Sequence, residues 1–280
     1  MGSLFVVATP IGNLEDVTLR ALRVLRDAAV IAAEDTRTSR RLLTHHGIRT
    51  RLLSYNEHNM SVRTPQLLTT LQEGDIALVS EAGTPGVSDP GHQLIVAVLE
   101  AGFPVVSIPG PSAVVTALTV SGLPMREFTF LGFLPRRSGV RRRTLSAVSG
   151  EPRTLVLFEA PHRLHRTLED IGSTLSDRRI AVCRELTKAF EEVFRGTVSE
   201  AIAHFAEPRG EFTLVIEGAS EAPQGADDAT IIREVQRHLN GGSSARDAAA
   251  QVAAELKIPR RRVYELSVKL RPSTPRRRKA

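Results

Sequence analysis

Three short apolar runs in the N-terminal part of the chain each break into a loop rich in glycine and proline. They are Leu4-Phe-Val-Val-Ala-Thr-Pro-Ile-Gly-Asn13, Leu78-Val-Ser-Glu-Ala-Gly-Thr-Pro-Gly-Val-Ser-Asp-Pro-Gly91 and Pro104-Val-Val-Ser-Ile-Pro-Gly-Pro-Ser-Ala113. A strand that ends this way exposes bare backbone N–H and C=O groups at the carboxyl edge of a sheet, where open α/β domains bind small ligands. Three such ends in one domain are expected to converge on one pocket.

Between these runs the pattern alternates strand and helix. Strands are expected at Leu4 to Ala8, Val30 to Ala33, Leu52 to Tyr55, Ile76 to Ser80 and Val105 to Ile108. Helical spacing joins Leu19, Leu22 and Leu25, then Leu67, Leu68 and Leu71, then Leu94, Ile95, Val98 and Leu99. This predicts an α/β fold with a doubly wound, mostly parallel sheet over residues 1–125. Thr64-Pro65 suits a helix start, and Gly102 and Gly122 suit helix stops. After Gly122-Leu-Pro-Met125, residues 126–222 read as a second α/β domain with a mixed sheet. Its strands are expected at Phe128 to Leu131, Thr154 to Phe158, Ile180 to Val182, Glu192 to Arg195 and Phe212 to Ile216, with helices at Pro161 to Leu175 and Val198 to Phe205. Gly218 to Asp227 is a linker by composition. Residues 228–280 then form a small, basic, helical C-terminal region of three short helices: Thr230 to Leu239, Ser244 to Leu256 and Pro259 to Leu270.

Composition narrows the function. The chain has 280 residues, no Trp and only 4% aromatics, which disfavours base stacking as the main means of holding nucleic acid. Cys183, the single cysteine, excludes a disulfide framework or Cys-based zinc site and reads as a buried structural thiol. No apolar run reaches the ~18 residues of a membrane span and the N-terminus lacks a signal-peptide pattern, so a cytoplasmic protein without a membrane partner is expected. The net charge of +6 is concentrated in two places. Arg136, Arg137, Arg141, Arg142 and Arg143 form one cluster. Lys257, Arg260, Arg261, Arg262, Lys269, Arg271, Arg276, Arg277, Arg278 and Lys279 form the other. Such clusters favour a polyphosphate partner, with nucleic acid preferred over a merely solubilising surface.

No Gly-x-Gly-x-x-Gly follows the first strand, and no P-loop or Gly-x-Ser-x-Gly elbow occurs. The eight histidines make no ligand constellation, so no metal is expected. What remains is a ligand held by main chain, flanked by charged strand ends: Glu34-Asp-Thr-Arg37, Asn56-Glu-His-Asn59, Glu159-Ala-Pro-His-Arg163 and Arg184-Glu-Leu-Thr-Lys188. Asp35 alone could simply cap a helix over Thr38 to His45. Four such clusters together favour an active site.

These residues carry a resemblance. Ala8-Thr-Pro-Ile-Gly-Asn-Leu14, Ala33-Glu-Asp-Thr-Arg37, Tyr55-Asn-Glu-His58, the Gly83-Thr-Pro loop with Ser88-Asp-Pro-Gly91, Pro109-Gly-Pro-Ser-Ala113, Gly132-Phe-Leu-Pro135, Phe158-Glu-Ala-Pro-His-Arg163 and Arg184-Glu-Leu-Thr-Lys188 occur in order along the chain. The sequence resembles the tetrapyrrole methylase family of S-adenosylmethionine-dependent enzymes. Within that family it is most similar to the branch that 2′-O-methylates a cytidine of 16S ribosomal RNA in the small ribosomal subunit. The family at large carries Gly-Asp-Pro where this chain has Gly83-Thr84-Pro85, a departure that fits the RNA branch. That branch often has Asp where Glu81 stands.

The resemblance implies a homodimer with the cofactor S-adenosyl-L-methionine in the interdomain cleft. It would place Pro10, Gly12, Gly83, Thr84, Pro85, Ser88, Pro111, Ser112 and Ala113 around the donor's amino acid and ribose, with Phe158 and Phe212 beside the adenine. A ribose hydroxyl is a poor nucleophile, so a positioned base or strong hydrogen bond is expected, with Glu159, Glu185 and Lys188 as candidates. Arg37, His58, Arg163 and Arg184, with Arg260, Arg261 and Arg262 of the C-terminal region, are the candidate RNA contacts. Two other readings stand beside this one: a corrin or porphyrin methyltransferase, and a non-catalytic RNA-binding module for ribosome assembly.

Overall fold

The computed structural model describes residues 2–219, 228–256, 258 and 260–269. The chain divides into two compact units, Met1–Gly218 and Ala219–Ala280.

The first unit opens with β1 (Leu4–Val7), α1 (Leu19–Asp27), β2 (Val30–Ala33), α2 (Thr36–His45), β3 (Leu52–Ser54), α3 (Met60–Glu73), β4 (Ile76–Val79), α4 (His92–Glu100), β5 (Val105–Ile108) and α5 (Ala113–Ser121). The five strands form a parallel sheet in the order β3-β2-β4-β1-β5. Its three inner strands, β2, β4 and β1, are apolar at every position because both faces are covered. Leu4, Ile76 and Leu78 point into a core with Leu67, Leu71, Leu94 and Val98 of α3 and α4, while Val7, Ala77 and Val79 point the other way, toward Ala21, Leu25, Leu42 and Leu43 of α1 and α2. The three strands that end in Pro/Gly loops, β4, β1 and β5, are neighbours in this sheet. Helix α4 ends just before Gly102 (φ +79°), and α5 ends at the left-handed Gly122 (φ +72°).

Thr64-Pro65 does not start a helix. Helix α3 begins at Met60, and Pro65 lies inside it. The Thr64 hydroxyl donates to the Met60 carbonyl at 2.8 Å, a side-chain bond in the turn where Pro65 offers no N–H.

The unit continues with β6 (Phe128–Phe133), α6 (Ser138–Ala147), β7 (Thr154–Glu159), α7 (Leu164–Leu175), β8 (Arg179–Arg184), β9 (Glu192–Thr197), α8 (Val198–His204) and β10 (Phe212–Ile216). The second sheet has the order β6-β7-β10-β8-β9, with β6 and β7 parallel and the other pairs antiparallel. A mixed sheet follows the strand-rich pattern of this stretch. Alternation governs its faces: Leu155, Leu157, Val182 and Leu214 pack with Leu145, Leu168 and Ile171 of α6 and α7, whereas Val156, Ala181, Cys183 and Val215 pack against Val114, Ala117 and Leu118 of α5. Helix α5 therefore joins the two halves, starting at the end of the parallel sheet and covering one face of the mixed one.

Helix α6 was not expected from the pattern. It has no apolar stripe, because its inward face includes Arg141, only 4% exposed. The guanidinium bonds Asp170 of α7 through Nε at 2.7 Å and a terminal nitrogen at 2.6 Å. The first basic cluster is thus divided: Arg141 is internal, while Arg142 is solvent-facing and lies 3.6 Å from Asp170.

In the second unit, α9 (Asp228–Asn240), α10 (Ala245–Glu255) and α11 (Arg260–Lys269) bury Ile231, Val235, Ala249, Val252, Ile258, Val263 and Leu266 against one another. Ser244 caps α10 by accepting from the Asp247 N–H. Most of the Gly218 to Asp227 linker, Lys257, and the basic residues from Arg271 onward lie outside the described residues. Among the described residues, no helix is long and apolar enough to cross a membrane.

Candidate active site

The carboxyl ends of β1, β4 and β5 face the ends of β7, β8 and β10, and a cavity of about 320 Å³ lies between them. Gly83, Thr84, Ser112 and Ala113 line it from the parallel sheet, and Phe158, Phe212 and Thr213 from the mixed sheet. Phe133, 54% exposed, adds an aromatic wall with its ring centroid 5.5 Å from that of Phe158. Gly83 is held by a pair of backbone bonds, its N–H to the Thr9 carbonyl (3.1 Å) and the Thr9 N–H to its own carbonyl (2.9 Å). Its φ of +75° is a conformation that glycine adopts without strain.

A second cavity of about 220 Å³ adjoins the first beneath the ends of β1, β2 and β4. Pro10, Gly12 and Lys188 line it, and Ile11, Glu81, Ala82 and Glu211 belong to both cavities. Pro85 and Ser88 lie on the Gly83 loop without lining either cavity, and Pro111 precedes Ser112 in the same way. A Cβ placed on Gly132 would stand 3.0 Å from the Ser88 Oγ, so that loop reaches the mixed sheet.

The two halves meet in a tight seam. The loop from Glu185 to Glu191 joins β8 to β9, with Glu185 at φ +50° and Thr187 at φ +67°. Thr187 Oγ1 accepts from the Asn13 N–H at 3.0 Å, and the Thr187 N–H donates to the Glu191 carboxylate at 2.6 Å. A Cβ on Gly12 would lie 2.5 Å from Lys188 Cγ and 2.6 Å from Thr187 Oγ1. Only glycine permits this approach.

Lys188 Nζ donates to Glu185 Oε1 at 3.0 Å and to Glu211 Oε2 at 2.9 Å. Partial burial works to lower the lysine pKa, but the bonds to Glu211 and Glu185 outweigh it and hold the ammonium above its ordinary value. Burial works to raise Glu185, yet the Glu211 N–H and Lys188 hold its carboxyl below the ordinary value. Both groups are therefore charged at neutral pH. Glu211, opposite Lys188, escaped the sequence reading because it precedes β10 without any motif.

Glu159 lines the larger cavity but is 1% exposed, and its oxygens are already engaged. One accepts from the Ala160 N–H at 2.8 Å and the other from the Thr167 hydroxyl at 2.5 Å. Arg163 Nε stands 3.2 Å away in an ion pair, and its guanidinium also donates to the Leu134 carbonyl at 2.6 Å. Arg184 pairs with Glu192 at 3.2 Å and donates to the Arg209 carbonyl at 2.7 Å. Arg37 is solvent-exposed and pairs with Asp35 at 2.8 Å. Asp35 is the N-cap of α2, and the side-chain and main-chain bonds from Arg37 hold its carboxyl down at about 2. His58 is exposed at the start of the turn into α3. In the second unit Arg260 donates to the Arg246 carbonyl at 3.4 Å; the side chains of Arg261 and Arg262 lie outside what is described. The structure thus gathers Gly83, Thr84, Ser112, Ala113, Phe158, Phe212 and Glu159 on one cavity and Pro10, Gly12 and Lys188 on its neighbour, whereas Asp35, Arg37 and His58 line neither.

One acidic group at the cavity has an altered titration. Burial, then the Glu34 carboxylate, pushes Asp89 up to about 6. Cys183 also touches the cavity, and burial pushes its thiol up to about 12, so it is not a nucleophile. Among the described residues no group of three or more His, Cys, Asp or Glu side chains is placed to hold a metal ion.

Comparison with known proteins matches residues 3–202 to the family described as Tetrapyrrole (Corrin/Porphyrin) Methylases. A protein of Halalkalibacterium halodurans named ribosomal RNA small subunit methyltransferase I is 45% identical over 272 residues, 95% of this chain and 94% of that protein. A Synechocystis protein of the same name is 47% identical over 275 residues, 96% of this chain and 99% of its own. Among solved structures, uroporphyrin-III C-methyl transferase from Thermus thermophilus complexed with S-adenyl homocysteine shares the fold. The TM-score is 0.57 at 20% identity, over 77% of this chain and 97% of that one. The match across most of the first unit, together with near full-length relatives above 40% identity, settles the kinship: the chain belongs to the tetrapyrrole methylase family, in the branch of the proteins named ribosomal RNA small subunit methyltransferase I.

Proposed function

We propose that this chain transfers a methyl group from S-adenosyl-L-methionine to the 2′-hydroxyl of a cytidine in 16S ribosomal RNA of the small subunit. The observation that carries the reading is the pair of adjoining cavities with Lys188 and Glu211 at their junction, in a chain whose full-length relatives are named for small-subunit ribosomal RNA. When bound, S-adenosylmethionine supplies an electrophilic methyl carbon on a cationic sulfur. The larger cavity fits such a group: Gly83 offers main chain, Phe133 and Phe158 offer aromatic faces, and Asp89 offers a carboxylate. Pro10, Gly12, Pro85, Ser88 and Pro111 shape the loops that carry these contacts.

At the junction the protein's task is to orient a ribose hydroxyl and receive its proton. Lys188, charged and fixed by two carboxylates, donates a hydrogen bond to the 2′-oxygen and stabilises the negative charge that develops there. The solvent-accessible Glu211 carboxylate would take the hydroxyl proton as the oxygen–methyl bond forms and the methyl–sulfur bond breaks, leaving its electron pair on sulfur. Glu185 holds Lys188 in place. Glu159 anchors Arg163 and the end of β7, so its part is positioning. Arg163 and Arg184, with the exposed Arg37 and His58, would meet the phosphates and ribose of a strand splayed from its helix.

The division of labour follows residues 1–125, 126–222 and 228–280: the first two hold the donor and the acceptor nucleotide, and the basic helices of the third dock the ribosomal subunit. A cytoplasmic homodimer completes the reading. The direct test is incubation with labelled S-adenosylmethionine and unmodified small subunits, followed by nucleoside analysis. Label in 2′-O-methylcytidine supports the proposal, and donor binding without label on RNA sinks it. Removal of residues 228–280 is expected to weaken subunit binding with a reduced salt dependence and to leave donor affinity unchanged.

A further inference from the structure

Two groups on the wall of the smaller cavity lack partners that comparable groups nearby possess. Thr9 is only 4% exposed and its backbone is bonded to Gly83 in both directions, yet its Oγ1 has no hydrogen-bond partner. The hydroxyls of Ser39 and Ser80 on the same wall donate to the Asp35 and Ala82 carbonyls at 2.9 and 3.2 Å. A buried hydroxyl left without a partner costs free energy that a ligand can recover. Glu81 is the second group. Its backbone N–H is satisfied by Glu34 at 3.2 Å, but among the described residues no hydrogen bond or ion pair holds its carboxylate. It lies on both cavities, where the group to be methylated would pass from one to the other.

An unengaged carboxylate at this place repels phosphate. It also repels the carbonyl edge of uracil, where acceptor would face acceptor. It suits an exocyclic amino group, the feature by which carboxylates recognise cytosine. A nucleotide whose ribose must reach a neighbouring cavity has to leave its stack, and its base then needs a pocket of its own.

We propose that the smaller cavity receives the base of the acceptor nucleotide, that Glu81 selects cytosine over uracil by accepting a hydrogen bond from the N4 amino group, and that Thr9 Oγ1 bonds the pyrimidine ring. The inference rests on the RNA-methylation reading and adds to it the place and the chemistry of base selection.

The test uses the full chain and small subunits carrying either cytidine or uridine at the mapped target. The wild-type protein is expected to prefer cytidine by about tenfold or more in kcat/KM. Glu81→Gln, whose amide both donates and accepts, is expected to bring that ratio toward one without changing the Kd for S-adenosylmethionine. Thr9→Val is expected to raise KM for the subunit and at the same time raise Tm, since an unsatisfied buried hydroxyl has been removed. A Glu81→Gln protein that keeps the wild-type ratio overturns the proposal, as does a loss explained wholly by weaker donor binding. A wild-type protein that binds donor but methylates neither subunit overturns the RNA reading, and this inference with it.

Discussion

At the cleft the parallel sheet presents main chain: Gly83 at φ +75°, the paired backbone of Thr9, and the Gly12 turn with no room for a side chain. The mixed sheet presents charges already matched to one another: Glu159 with Arg163, Arg184 with Glu192, and Lys188 with Glu185 and Glu211. One side can accept a ligand's polar atoms without moving. The other carries a charge lattice whose members hold one another in position. Specific shape therefore comes from the first half, and field from the second.

The comparison breaks most severely where the mixed sheet relies on a buried charge. Arg141→Ala leaves Asp170 without its main partner and should lower unfolding free energy by about 3–5 kcal/mol, read by urea denaturation. Pairing it with Asp170→Leu should recover much of that loss. Next, Lys188→Met removes the charge at the junction and should lower the single-turnover methylation rate by about 100-fold or more, with donor Kd unchanged. An unchanged rate would show that the lattice serves stability alone. Gly12→Val attacks the main-chain side: its side chain would displace Lys188 and Thr187, and a loss of about 100-fold in kcat/KM should follow, with secondary structure by circular dichroism intact.

The smallest effect is pH-dependent. The folded-state value of Asp89, about 6, lies above its ordinary 3.8, so the fold disfavours the anion. Well below pH 3.8 the group is protonated in both states and contributes nothing; as pH rises through 3.8 and on to 6, stability is lost, and the loss persists at higher pH. Asp89→Asn should therefore raise Tm at about pH 7.5 and leave it nearly unchanged well below pH 3.8. An equal gain at both pH values would assign the effect to packing.

Much of the architecture was legible in the residues. The runs at Val30–Ala33 and Ile76–Val79 are apolar throughout because both faces of their sheet are covered, and that pattern survives in sequence. Helix α6 was hidden because an arginine occupies its inward stripe, and a charged residue reads as surface until its partner, 29 positions away, is in view. Pro65 misled for the converse reason: a breaker is tolerated where Thr64 supplies a local bond to the Met60 carbonyl. At the site, the Pro/Gly strand ends were readable because their chemistry is local. Glu211 was not, since its significance depends on Lys188 lying 23 positions earlier. Glu159 was visible as a charged strand end, but nothing in the sequence announces that Thr167, Ala160 and Arg163 already occupy it.

The seam of Gly12 against Lys188 bears on how the protein comes into being. During synthesis the parallel sheet leaves the ribosome first, and every strand it needs is complete at Ile108. The walls of both cavities wait for Lys188, Glu211 and Phe212, delivered about a hundred residues later. A growing chain thus holds a finished scaffold and half a pocket for several seconds, at the ~5–20 residues per second of elongation. The pocket is completed abruptly, with the last strand, and not in proportion to the length of chain made.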